Sequence, residues 1–155
     1  MKITRVAVVV SALALPLSLA TLGACESMQS VTNSASAIQK LAGDWNLSSL
    51  RGVDVASMLP KGMKLPSLSF SNDGSVSGNS GINRLASSLD LDALAKGQFK
   101  LAPSAGTKMA GSPEAMAFEN DFLKTLGEVT GFSAKGDSLT LSNAAGELMK
   151  FVRAG

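Results

Sequence analysis

Apolar and polar residues alternate in short runs through most of the chain, with one helical interruption. Trp45 and Leu47 alternate with Asn46 and Ser48, which predicts a first strand. Leu68 and Phe70 alternate with Ser67, Ser69 and Ser71, then Asn72-Asp73-Gly74 turns the chain and Ser75-Val76-Ser77 resumes the alternation, so a hairpin is expected there. Phe99 and Leu101 between Gln98 and Lys100 read as another strand. Phe132 and Ala134 lead into Lys135-Gly136-Asp137, Leu139 and Leu141 alternate beyond it, and Asn143 to Gly146 turns into a last strand over Leu148 to Val152. That strand is apolar on both faces, as in a central or doubly covered position.

The spacing of Ala115, Phe118, Phe122, Leu126 and Val129 predicts a helix from Pro113 to about Gly127. Ser112 suits its N-cap, Pro113 its first position, and Glu114 the positive end of its dipole. Glu119, Asp121, Lys124 and Glu128 fall mostly off the apolar stripe. The stripe reads first as a sheet-covering face, with a ligand-binding role as the alternative. Val53 to Leu59 fits a short helical turn stopped by Pro60, and Leu85 to Lys96 fits either a short helix or an irregular loop. These elements add up to an α+β fold: a strongly bent antiparallel sheet, partly open and barrel-like, with one main helix packed against it.

The N-terminal 40 residues are of a different kind. Lys2 and Arg5 precede an apolar run from Val6 to Leu22 that contains Pro16, and small residues follow. A charged start, a short apolar stretch and a small-residue cut site make residues 1–24 an export signal. A membrane-spanning anchor is the competing reading, but the run falls short of the ~20 residues needed to cross a bilayer. Residues 26–40, ESMQSVTNSASAIQK, are polar and read as a flexible spacer. Three segments result: a signal over 1–24, a tether over 25–40 and one domain over 41–155, large enough for a single core.

Composition narrows the chemistry. Without residues 1–24 the chain has 131 residues beginning at Cys25, and its basic residues fall from 14 to 12, equal to the 12 acidic ones. A neutral chain gives no argument for nucleic-acid binding. No His and no Tyr are present, and Cys25 is the single Cys, so His-based triads, His-ligated metals and an intrachain disulfide are excluded. Gly74-Ser75-Val76-Ser77-Gly78 carries Val where a nucleophile elbow needs Ser, and no Ser-x-x-Lys pair, phosphate loop or dinucleotide fingerprint occurs. Asp90-x-Asp92 has too few oxygen ligands for a calcium loop and reads as solvated charge. Met58, Met63, Met109, Met116 and Met149 read as core filling. The expectation is a non-enzyme with no cofactor and no metal.

Two resemblances add to this. Leu22-Gly23-Ala24-Cys25 resembles the bacterial lipoprotein lipobox, which implies lipidation of the Cys25 thiol, cleavage before it and acylation of the new amino group. Each buried methylene would contribute ~0.8 kcal/mol, so several chains on one residue make a lasting anchor. Glu26 in place of an Asp favours the outer membrane under enteric-type sorting. The domain resembles the META domain family, to which the heat-shock protein HslJ belongs. Leu41-Ala42-Gly43-Asp44-Trp45-Asn46-Leu47 is similar to its opening motif, and Val76-Ser77-Gly78 to the strand before its core motif. Gly81-Ile82-Asn83 stands where the family typically has Gly-Cys-Asn, and Thr107-Lys108-Met109-Ala110-Gly111 where it has Thr-x-Met-Ala-Cys. The family's two Cys positions are thus Ile82 and Gly111, so any bond between them is missing.

The resemblance marks Trp45, Gly78, Gly81, Asn83, Thr107, Met109 and Ala110 as family-motif positions. Asn83 would bond a neighbouring loop and Thr107 would satisfy backbone near the helix, or both would line a binding groove. The function it implies is that of a non-catalytic, lipid-anchored envelope protein, loosely linked to envelope stress and facing the periplasm. Two alternatives stand beside it. A carrier similar to secretion-system pilot lipoproteins would hold an acyl chain or partner peptide in a cracked barrel bordered by Leu89, Leu94, Phe118 and Phe122. A lysozyme-inhibitor-like protein would act through an exposed loop at 84–96.

Overall fold

The computed structural model describes residues 23–155, with side chains from Val31 onward. Residues 1–22 of the expected export segment therefore lie outside the described residues, as does the side chain of Cys25. The chain runs α1 (Gly23–Leu41), β1 (Gly43–Leu50), β2 (Val53–Asp54), α2 (Val55–Met58), β3 (Ser67–Phe70), β4 (Ser75–Asn79) and β5 (Arg84–Ser88). It continues through α3 (Leu91–Ala95), β6 (Ala105–Gly106), α4 (Pro113–Gly127), β7 (Gly131–Lys135), β8 (Ser138–Asn143) and β9 (Gly146–Arg153).

The strands form one antiparallel sheet in the order β6-β5-β4-β3-β1-β9-β8-β7, with β2 paired to β1. Two meanders, β3 to β6 and β7 to β9, are joined where the first long strand pairs with the last. The register shifts between Leu47 and Ser49 on β1 and between Leu141 and Ser142 on β8. Such bulges bend strands. The two edges, β6 and β7, do not pair, so the barrel stays open. The α+β expectation of a bent, partly open sheet with one main helix holds.

Helix α4 runs in sequence from one sheet edge to the other. Ser112 caps it by accepting from the Ala115 N–H, Pro113 opens it, and Phe118, Phe122 and Leu126 bury their side chains in the core. On its outer side Asp121 and Glu128 pair with Arg51 from the β1–β2 turn, at 3.5 and 3.0 Å. The core beneath combines Trp45, Leu47, Leu139, Leu141, Met149 and Phe151, all buried. Leu148 is buried on the other face of β9, consistent with the doubly covered strand its composition predicts.

Several local expectations need correction. The stretch Gln98–Leu101 forms no strand. It is an extended connector whose Phe99 N–H donates to Thr130 O, and only an isolated Leu89–Leu101 bridge forms. Phe99 is fully buried and sits edge-on to Phe70 with centroids 6.2 Å apart, and the same distance from Phe132, so its ring bridges the two meanders. Residues 84–96 are not an exposed loop. They form β5 and α3, with Leu85, Leu89 and Leu94 buried.

The polar tether is not a flexible spacer where it is described. It runs as α1 and packs on α3 and β7. Ser34, Ile38 and Leu41 are its buried residues, a helical spacing made of one small and two apolar side chains. The domain boundary expected at residue 41 thus cuts through a docked helix. Its end is fastened several times: Trp45 Nε1–H donates to Leu41 O at 2.7 Å, Arg153 Nη1 donates to Ala42 O at 3.1 Å, and the Arg153 guanidinium lies 4.3 Å from the Trp45 ring centroid. Among the described residues no helix is long and apolar enough to cross a membrane.

Candidate functional site

The turn 79–84 between β4 and β5 and the segment 107–112 before α4 meet over one buried carboxylate. Neither carries much apolar bulk, so directional bonds must fix them. Asn83 is the hub. Its Oδ1 accepts from the Met109 N–H at 2.7 Å and from the Thr107 hydroxyl at 2.8 Å. Its Nδ2 donates to Glu119 Oε2 at 2.9 Å and to Met109 O at 3.3 Å. Two lone pairs and two N–H bonds are the full capacity of a side-chain amide, and all are used here.

Glu119 receives this hub from α4. Its Oε1 accepts from the Asn83 backbone N–H at 3.0 Å and from the Ser80 hydroxyl, and its side chain is only 4 % exposed. Ser80 is also buried and closes the turn through its N–H, which donates to Asn83 O at 2.9 Å, while its hydroxyl gives its one proton to Glu119. The Thr107 hydroxyl accepts from the Arg84 N–H at 3.1 Å, so it links β5 to the same network. A carboxylate acceptor on one element thus gathers donors from another, which in turn holds a third.

Each family-motif position has a place around this hub or the core. Trp45 is buried. Gly78 sits where a Cβ would lie 2.4 Å from Ser67 O, so only hydrogen fits against the neighbouring strand. Gly81 has φ +111°, and a Cβ there would meet Met63 Cε at 1.8 Å. Met109 is 59 % exposed, and it is its backbone that engages Asn83. Ala110 is exposed beside it. Ile82 and Gly111 are neighbours: a Cβ on Gly111 would lie 2.5 Å from Ile82 Cδ1.

The candidate ligand-bordering residues Leu89, Leu94, Phe118 and Phe122 all belong to the packed core, and Leu94 also lines the 570 Å³ recess beside α1. Helix α4 closes directly onto the sheet, so its aromatic stripe is consumed by packing. Glu119, expected off the apolar stripe, is buried. It lies four positions after Ala115 and three before Phe122, a spacing that places it on the flank of the buried face.

Two depressions flank the hub. The larger, about 1020 Å³, lies between the loop 61–64, the outer face of β3 and β4, and the Ile82–Gly111 contact. The smaller, about 490 Å³, is lined by Met109, Met116, Leu123 and Glu119. Among the described residues no group of three or more Cys, Asp or Glu is placed to hold a metal ion.

A profile of the META domain matches residues 37–155, which starts within α1 and takes in the whole sheet, the hub and α4. The chain belongs to the META domain family. No curated protein matches it in sequence. Among solved structures, the fold is similar to that of a protein from Burkholderia xenovorans, at 24 % identity and a TM-score of 0.56, covering 77 % of this chain and 88 % of that one. A second structure, solved by NMR, matches at 19 % identity and a TM-score of 0.55, covering 76 % and 93 %. A DUF4847 family protein from Bacteroides vulgatus ATCC 8482 matches at 14 % identity and a TM-score of 0.50, covering 74 % and 94 %. These likenesses establish a shared fold.

Proposed function

We propose that this META domain protein is a non-catalytic envelope protein of the HslJ type, held by a lipidated Cys25 to the periplasmic face of the outer membrane and acting in tolerance of envelope stress. The sequence Leu22-Gly23-Ala24-Cys25 carries the anchoring part of this reading, since the single thiol of the chain follows the small residues that a lipoprotein peptidase requires. The non-catalytic part is supported by the hub: the one buried carboxylate among the described residues has both oxygens engaged by Asn83 and Ser80, so it serves the fold.

The test compares the chain with its Cys25→Ala variant in bacteria grown with labelled palmitate. Wild type is expected to take up label and to sediment with outer membranes. The variant is expected to remain unlabelled and to leave the membrane fraction. Equal labelling or equal sedimentation of the two would overturn the anchor.

A further inference from the structure

The larger depression has a charge character that the chain as a whole lacks. Lys61, Lys64 and Arg84 line it, and no Asp or Glu does. None of these three cations has an ion-pair partner among the described residues; what sets them apart from the other unpaired lysines is that they share one groove. Two carboxylates border it from outside: Asp44 on β1 accepts the Ser69 hydroxyl, and Glu119 is held by Asn83 and Ser80. Three positive charges with no ion-pair partner thus meet in one groove, although residues 25–155 carry 12 basic and 12 acidic residues.

The loop that brings two of them is held in place. Met63 N–H donates to Pro60 O at 3.1 Å, and Gly62 takes φ +79°, so Lys61 sits at the tip of a tight turn. Met63 then packs its thioether into the space that Gly81 leaves by having no Cβ. Lys61 and Lys64 are thus presented from a fastened loop, and Arg84 faces them from the start of β5, next to the Asn83 hub. Between them the walls are apolar, supplied by Met63, Ile82 and Met109, while Ser67, Ser77 and Asn79 supply hydroxyl and amide groups. Unmatched cations beside thioether and aliphatic walls fit an amphiphile with a charged head better than a free anion.

We propose that this groove binds an anionic phospholipid without covalent attachment, with Lys61, Lys64 and Arg84 on its phosphate and Met63, Ile82 and Met109 against the first carbons of its acyl chains. The proposal is independent of the lipidation of Cys25.

Isothermal titration of the full purified chain with dihexanoylphosphatidylglycerol, kept monomeric, tests it. Binding is expected to be at least about tenfold tighter than for dihexanoylphosphatidylcholine and for inorganic phosphate, and to weaken as salt is raised. Lys61→Gln/Lys64→Gln/Arg84→Gln should lose about tenfold. Lys124→Gln/Lys135→Gln, which alters charge elsewhere, should bind as wild type, and thermal unfolding should show both variants folded. Equal binding of the two lipids, inorganic phosphate binding as tightly as the anionic lipid, absence of binding, or an equal loss in the control variant would each overturn the assignment. Should the triple variant fail to fold, Lys64→Gln alone carries the test through the salt dependence, which it must reduce.

Discussion

The C-terminal meander and the loop pair around Asn83 are held together by different physics. In β8 and β9, Leu139, Leu141, Met149 and Phe151 are all fully buried, and the strands pair over most of their length. Apolar burial of this kind is non-directional, and exchanges that keep volume are tolerated. Around Asn83 the strands are short, Gly occurs at positions 78, 81, 106 and 111, and the fold rests on a carboxylate, an amide and two hydroxyls. There the chemical identity of a side chain matters more than its size. The groove proposed for an anionic lipid borders this second region, where side chains not used by the core remain free to meet a ligand.

The sharpest break of the comparison is on the apolar side. Phe122→Ala removes a wholly buried ring from α4 and should cost ~3–5 kcal/mol, read as a lower midpoint in urea unfolding. Phe122→Leu should cost much less, because volume is largely kept. On the loop side, the Ile82 and Gly111 pair offers the opposite change. Their contact places the two positions close enough to join, so Ile82→Cys/Gly111→Cys should form a disulfide on oxidation and stabilise the fold by ~2–4 kcal/mol relative to its reduced form. Thiol counting and thermal unfolding check it.

Glu119→Gln separates identity from size. The change keeps volume but sets an amide N–H2 against Asn83 Nδ2 or against the Ser80 and Asn83 donors. Asn83 is not free to turn over, since its Oδ1 already holds Met109 and Thr107. The expected loss is ~1–3 kcal/mol. In a cycle with Asn83→Ala the two losses should be strongly non-additive, which distinguishes a coupled hub from two separate contacts. Full additivity would dissolve the contrast between the regions.

Thr125 gives a smaller effect of opposite sign. Its hydroxyl on α4 is buried and is the one such atom among the described residues without a hydrogen-bond partner. Thr125→Val keeps the shape, removes that polar atom and should stabilise by ~1 kcal/mol in the same unfolding assay.

The smallest effect concerns acid. The Ala93 N–H bonded to Asp90 at the start of α3, and then Lys100 beside it, hold its carboxyl below the usual carboxylate range. A lowered folded value means stability that is present above the unfolded pKa and lost as pH falls through the folded one. Asp90→Asn should therefore be less stable than wild type at neutral pH, and the difference should vanish in strong acid. A difference that persists there would show that capping geometry alone, without charge, sets the contribution.

Much of this architecture is legible in local pattern. The turns at Asn72-Asp73-Gly74 and Gly136-Asp137 appear where their residues allow positive φ, at Gly74 and Gly136. Helix α4 starts and stops at the residues its cap and spacing indicate, because capping is a property of adjacent residues. The stretch 98–101 misleads for an equally physical reason. Alternation records that Phe99 and Leu101 turn inward, but a strand also needs a partner of adequate length, and a long partner is a property of the assembled sheet. Similarly, the polar tether hides its helix because Ser34 counts as polar, although a side chain this small buries easily.

Read alone, the sequence determined the hairpins, the capped helix, the META family motifs and the absence of His and Tyr, all of which depend on neighbouring residues or on composition. Only the tertiary structure decided that Glu119 lies inside and gathers Asn83 and Ser80, that Leu89, Leu94, Phe118 and Phe122 fill the core, and that Lys61, Lys64 and Arg84 share a groove. The reason is one of range. Periodicity specifies which face of an element turns inward, but the donors, walls and charges that meet that face arrive from segments tens of residues away.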